Sequence, residues 1–160
     1  MALKSNKYGD SSKEPINILL ADDDIDDCFF FKNALSKLSI STQLKTVDDG
    51  ERLMTYLSEC SDKLPDVLFL DLNMPRKNGS ECLKEIKLNK KFQHLPVIIY
   101  STCLHEAVAD ELYTNGAYYY IRKASLEELQ KVLHRILTIM VEKKITRPLR
   151  NEFVFSLVEK

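Results

Sequence analysis

Short, unbroken apolar runs alternate along the chain with stretches in which apolar residues return every three or four positions. The runs are NILLA at 17–21, TQLKTV at 42–47, DVLFL at 66–70, PVIIY at 96–100 and AYYYIR at 117–122. Strands buried on both faces of a parallel sheet are apolar throughout rather than alternating, and three of these runs have that character. Between the runs, Cys28, Phe31, Leu35 and Leu38 mark a first helix, Leu53 and Leu57 a second, Cys82, Leu83 and Ile86 a third, and Val108 and Leu112 a fourth. The fifth is the clearest. Leu126, Leu129, Val132, Leu133, Ile136, Leu137 and Met140 form one stripe, and Ser125 followed by Glu128 has capping-box spacing at its start. Five strands alternating with five helices predict an α/β domain with right-handed crossovers over residues 16–142.

Both ends fall outside this rhythm. Residues 1–15 are polar and close on Pro15, which reads as a flexible N-terminal segment. Residues 143–160 make a C-terminal tail with a proline and an alternating FVFSLV, and the sequence leaves open a short strand, a docking tail or disorder.

Composition narrows the class. At 160 residues and 44% hydrophobic content the chain is sized for one domain with a full core. A net charge of -1 gives no overall basic footprint for direct nucleic-acid binding. Cys28, Cys60, Cys82 and Cys103 form no CxxC pair, so neither a zinc site nor a disulfide framework is indicated. The first residues lack the apolar core of a signal peptide, and no apolar run nears membrane-spanning length, so a cytoplasmic setting without membrane attachment is expected.

The chemistry sits at the strand ends. NILLA runs into Asp22 and Asp23, VLFL into Asp71, IIY into Ser101 and Thr102, and YIR into Lys123. Ligands of open parallel sheets bind outside the carboxyl ends of the strands, where the strand order reverses. Carboxylates with no His or Cys beside them make a hard oxygen site, suited to a magnesium-sized cation that keeps several waters. Lys123 adds a fixed positive charge and Ser101 a hydroxyl donor, both suited to phosphoryl oxygens, and Asp71 is placed to attack phosphorus as a carboxylate nucleophile. Asp24, Asp26 and Asp27 have an equally plain reading as helix-start acids. His94, His105 and His134 lie apart, and no strand end delivers one.

ILLADDDIDD, VLFLDLNMPRKNG, PVIIYST and GAYYYIRKA together resemble the response-regulator receiver domain of two-component signalling, over about residues 16–142. The resemblance implies a flavodoxin-like (βα)5 fold with strand order 2-1-3-4-5, an order for which a close relative is a stock example. It implies Asp71 as phosphoacceptor, and Mg2+ held by Asp22, Asp23, Asp71 and the backbone carbonyl of Asn73. Ser101 then becomes the switch hydroxyl, Tyr120 the switch aromatic and Lys123 the family's lysine. The implied partners are a histidine kinase or phosphotransfer protein and a downstream protein target. Ala124 replaces the proline that often follows the lysine, and a trans Lys123–Ala124 peptide is favoured because a non-proline cis bond is costly. Asn73 and Cys103 occupy the positions that tune dephosphorylation in the family, so the lifetime of the phosphorylated form is not set by these motifs alone.

A stand-alone phospho-switch is therefore the expected function, with no enzyme activity beyond its own phosphorylation and dephosphorylation. A phosphatase of the haloacid dehalogenase type needs a second Asp two residues after the nucleophile, and Asn73 stands there. A phosphorylation-independent adaptor would not need the complete polar set. The tail is too short for a DNA-binding output domain, so output is expected through protein contacts. The output surface is expected on the fourth helix, fifth strand and fifth helix. In that picture the fifth strand is an open edge, Tyr118 and Tyr120 share one face, and Tyr119 and Ile121 the other.

Overall fold

The apolar runs become the strands of a single parallel sheet. In the computed structural model, which describes residues 14–157 apart from 61, 103 and 143, these are β1 (Ile16–Ala21), β2 (Thr42–Val47), β3 (Val67–Leu70), β4 (Val97–Ser101) and β5 (Tyr119–Arg122). The helices are α1 (Ile25–Ser36), α2 (Gly50–Glu59), α3 (Gly79–Leu88), α4 (Glu106–Thr114) and α5 (Leu126–Val141). Strand order is β2-β1-β3-β4-β5, with every pair parallel, so the expected flavodoxin-like topology holds. All but Glu14 and Pro15 of the expected N-terminal segment lies outside the described residues, as does Cys103.

Why the central runs are apolar throughout is plain from their burial. β3 and β4 are covered on both faces, and every residue in them is buried. On one face α1 and α5 pack Phe31, Leu35, Leu133 and Ile136 against Ile18, Phe69 and Tyr100. On the other, α2, α3 and α4 pack Leu53, Leu57, Leu83, Ile86 and Leu112 against Leu19, Leu68 and Ile99. Leu, Ile and Phe side chains buried this fully each contribute about 1.5–3 kcal/mol relative to exposure. β2 is different: it alternates between half-buried and exposed, as an edge strand does.

Polar caps fix where four of the five helices start, and so where the loops before them are held; α4 follows His105 without a side-chain cap. Asp24 accepts the amides of Asp26 and Asp27 at the head of α1, Asp49 that of Arg52, Asn78 that of Glu81, and Ser125 that of Glu128. Between β3 and α3 the chain turns tightly. A Cβ on Gly79 would come within 2.2 Å of the Asp71 carbonyl oxygen, and Arg76 takes a left-handed φ of 68°. The Lys123–Ala124 peptide is trans, as favoured.

One expectation is corrected. β5 is not an open edge, because the tail folds back along it. Val154 bridges Tyr120 in parallel, with Tyr120 N–H donating to Phe153 O at 2.9 Å and Phe155 N–H donating to Tyr120 O at 2.8 Å. Phe153 is fully buried with Tyr120 on the α4 face, whereas Phe155 and Tyr119 pack on the α5 face. The alternating FVFSLV leaves a short strand, a docking tail or disorder open, and nothing local names β5 as its neighbour. β5 itself begins at Tyr119 rather than at 117, since Ala117 N–H still bonds back to Leu112 at the end of α4.

Candidate phosphoryl and metal site

Asp22 follows β1 and Asp71 follows β3, on either side of the point where strand order reverses. Their amides continue the ladder: Asp22 N–H donates to Val47 O and Asp71 N–H to Ala21 O. The backbone thus holds the two carboxylates side by side. Asp22 and Asp71 are buried, Asp23 is exposed, and oxygens from all three lie within 4.8 Å of one another. Ser101, at the end of β4, is buried beside them.

Lys123 enters from the end of β5 and gathers the acids. Its Nζ lies 2.8 Å from Asp22 Oδ2, 2.8 Å from Asp27 Oδ2 and 3.4 Å from Asp71 Oδ2, and 5.2 Å from the centre of the Tyr100 ring. Burial works to strip its proton, but the hydrogen bonds and charges of these acids outweigh burial and hold the ammonium's pKa above the usual lysine value. Lys123 is a permanent cation.

Asp22 is balanced differently. Burial pushes its carboxyl up to about 6, against the opposing pull of Lys123 and of the Asp24 amide. Its Oδ2 is buried and has no directed hydrogen bond, although the ammonium is close enough for an ion pair. A buried carboxylate oxygen with an unused lone pair, next to two more carboxylates and no nitrogen or sulfur ligand, fits a hard divalent cation. Cys28 also touches the site, its thiol 3.5 Å from the Asp22 carbonyl oxygen. Burial first, then the charge of Asp22, pushes that thiol up to about 11, so it stays protonated and inert.

The switch residues are linked through backbone as well as side chain. Ser101 O accepts from Lys123 N–H at 2.9 Å and from the Tyr120 hydroxyl at 3.4 Å. Tyr120 is wholly buried in this state. Asn73, in the β3–α3 loop, is exposed, and its N–H donates to Asp71 Oδ1 at 3.4 Å. A cleft of about 610 Å3 opens against Asp22 and Asp23, walled by Ile25 and Cys28 of α1, Val47 of β2, and Arg52 and Tyr56 of α2.

Two participants escaped the sequence reading. Asp27 was indistinguishable from a helix-start acid, yet it grips Lys123 from one turn into α1. Tyr100 stood only as the last residue of the fourth apolar run, and its ring lies under the ammonium. The three described cysteines are free. No helix among the described residues is long and apolar enough to cross a membrane.

A doubly wound sheet with acids, a hydroxyl and a lysine on successive strand ends defines an α/β domain with a polar site at its switch point. Residues 18–134 match the response regulator receiver domain model, and the chain belongs to that family. Response regulator Rcp1 of Synechocystis is 30% identical over 140 residues, covering 83% of this chain and 94% of Rcp1. Among solved structures, the phosphorylated cyanobacterial phytochrome response regulator RcpA superposes with a TM-score of 0.74 at 29% identity, over 85% of this chain and 100% of that one. The Mn(2+)-bound form of Rcp1 superposes with a TM-score of 0.72 at 29% identity, over 84% of this chain and 100% of that one. The chain is thus a receiver domain resembling stand-alone response regulators, a signalling domain of two-component systems. Neither the phosphatase nor the adaptor reading is favoured beside it.

Proposed function

We propose that Asp71 accepts a phosphoryl group from a histidine kinase or phosphotransfer protein, and that the modified domain signals to a protein target in the cytoplasm. The observation that carries this reading is the placement of Lys123 Nζ between Asp22, Asp27 and Asp71. The ammonium offsets the carboxylate charge, and it stands where the oxygens of a phosphoryl group on Asp71 would need a cation.

Asp22, Asp23 and Asp71, with the Asn73 carbonyl, are the residues that would hold Mg2+. Bound there, the metal supplies charge neutralisation and Lewis acidity toward the phosphoryl oxygens. The chain's own residues do the rest. The Asp71 amide in the ladder with Ala21 aims the carboxylate out of the sheet, and an Asp71 oxygen forms its bond to phosphorus as the donor's P–N bond breaks. The donor imidazole keeps the electron pair of that bond. Lys123 then shifts from Asp71 to a phosphoryl oxygen, and the Ser101 hydroxyl donates to another. Ile25 and Phe29, one helical turn apart on α1 and 82% and 71% exposed, offer an apolar patch next to the cleft for the donor protein.

Incubation with acetyl phosphate and Mg2+ followed by intact mass tests the reading. The expected result is one added phosphoryl group, absent without the metal and absent in Asp71→Asn, a nearly isosteric change. Undiminished labelling of that variant would move the acceptor elsewhere.

A further inference from the structure

Residues 144–157 do more than close a sheet edge: they make a series of side-chain-specific contacts along α4 and β5. Arg147 lies over the Tyr113 ring, its Cζ 4.0 Å from the centre, and Tyr113 in turn donates its hydroxyl to Pro148 O at 2.9 Å. Arg150 donates to Asp110 Oδ1 at 2.8 Å and to Glu106 Oε2 at 3.0 Å, so one guanidinium meets two carboxylates one helical turn apart on α4. Phe153 is fully buried, 5.5 Å from the Tyr113 ring centre, and Phe155 is 5.4 Å from Tyr119 on the opposite face of the sheet.

The pattern is that of a peptide ligand on a receptor. Backbone bonds to a sheet edge give affinity and alternate side chains fall into separate pockets, which is how extended segments are recognised by strand addition. We propose that the α4–β5 face is a binding groove for an extended protein segment carrying two basic residues three apart and then Phe-x-Phe. In the resting chain residues 147–155 fill that groove in cis, and a partner segment of the same chemistry enters by displacing them.

The proposal follows from charge and from how the strap is held. The acidic pair Glu106 and Asp110 is largely exposed, so the arginine that meets it is selected by surface charge, which an incoming segment can match. Among the described residues, backbone-to-backbone bonds join the strap to β5 at Tyr120, while the Tyr113 hydroxyl donates to Pro148 O and Arg147 Nε donates to Ala117 O at 3.4 Å. The outer side of the strap is mixed, with Asn151, Glu152 and Ser156 exposed beside Leu149 at 68% and Leu157 at 37% exposure, so some apolar side chains stay uncovered after docking. A terminal segment with one backbone bridge and an exposed outer side opens more readily than the sheet core, and Phe153 leaves its buried site when it does.

The test uses the full chain. Arg150→Glu sets like charges against Glu106 and Asp110 and also removes the guanidinium 5.8 Å from the Phe153 ring centre, while leaving Phe153 and Phe155 themselves unchanged. Hydrogen exchange at the Phe155 and Tyr120 amides is expected to rise by about tenfold or more in that variant. Adding Glu106→Arg and Asp110→Arg to it restores protection if the charge pairing is what matters. A labelled synthetic peptide of residues 145–157 is expected to bind Arg150→Glu saturably, and the parent chain about tenfold more weakly or worse, because the cis strap competes. Unchanged exchange in Arg150→Glu, or no saturable peptide binding to it, overturns the proposal. Protection in the parent chain that grows with protein concentration also overturns it, since the strap would then be exchanged between two copies. None of these readouts involves Asp71, so the groove stands or falls apart from the phosphoacceptor reading.

Discussion

The ammonium of Lys123 lies 2.8 Å from Oδ2 of Asp27, a residue of α1 that supplies none of the three clustered metal-site carboxylates. Asp27 therefore shares the ammonium with Asp22, which lies at the same 2.8 Å, and adds negative charge to the rim of the site. Neutralising it acts on cation binding twice in the same direction. Asp27→Asn lets the ammonium settle on Asp22 and Asp71, and it weakens the local field. Mg2+ affinity falls by roughly threefold to tenfold, about 1 kcal/mol at the partly screened distances involved. Lys123→Met does the reverse and tightens Mg2+. Titration calorimetry of the two variants checks both signs. Movement in the same direction would show that Asp27 and Lys123 do not oppose each other at the metal.

Asp23 separates metal binding from folding. It is exposed and takes no part in the Lys123 ion pairs. Asp23→Asn is expected to weaken Mg2+ by about tenfold or more while leaving metal-free stability within about 0.5 kcal/mol. Equal Mg2+ affinity in variant and parent would remove Asp23 from the ligand set.

Ser101 and Tyr120 are joined by the 3.4 Å contact between the Tyr120 hydroxyl and the Ser101 carbonyl oxygen. A ring this buried can answer a change at Ser101 only by a discrete repacking, not by gradual drift. With beryllofluoride and Mg2+ as the phosphoryl mimic, spectral changes are expected to extend from the Asp71 loop through residues 101–122. Ser101→Ala should confine them to that loop. Changes confined to the loop in the parent chain would leave Tyr120 a plain core residue.

Lys87 gives a pH dependence remote from the phosphoryl site. Its Nζ donates to Leu95 O at 2.6 Å and to Gln93 O at 3.2 Å, and among the described residues no carboxylate pairs with it. Burial, with a smaller push from Arg147, lowers its pKa from 10.5 to about 8. Between those values the unfolded chain binds more protons than the folded one, so stability rises with pH across that window. Allowing for partial solvent access, the gain is about 1–2 kcal/mol. Denaturant unfolding at about pH 7.5 and about pH 9.5 reads it, and Lys87→Met is expected to flatten the difference. An equal slope in the variant would assign the effect to other groups.

The layered architecture was legible because its signals are periodic and redundant. β3 and β4 are buried on both faces, and their sequences say so residue by residue. The polar strand ends were legible for a related reason: a parallel sheet delivers all its carboxyl ends to one side, so Asp22, Asp71, Ser101 and Lys123 converge once the strands are known. Asp27 was not, because a helix-start acid and an ion-pair partner look the same until a lysine 96 residues away is placed beside it. The strap failed on the same ground. FVFSLV carries the period of a strand, but partner choice rests on Arg150 meeting Asp110 and Phe153 meeting Tyr113, pairings between distant segments that leave no local trace.

By lying along β5 the strap also changes what the protein offers to its neighbours in a crowded solution. A terminal strand reading Tyr-Tyr-Ile-Arg would otherwise expose a row of hydrogen-bonding backbone beside large apolar side chains, the template on which sheets of separate molecules join. Val154 bridges β5 at Tyr120, and at the other edge of the sheet, β2, Gln43 and Lys45 are exposed and a charge stands against further pairing. Lifting the strap would remove the Phe153 and Phe155 bonds to Tyr120 and present that stretch of β5 as an edge on which a second strand can pair.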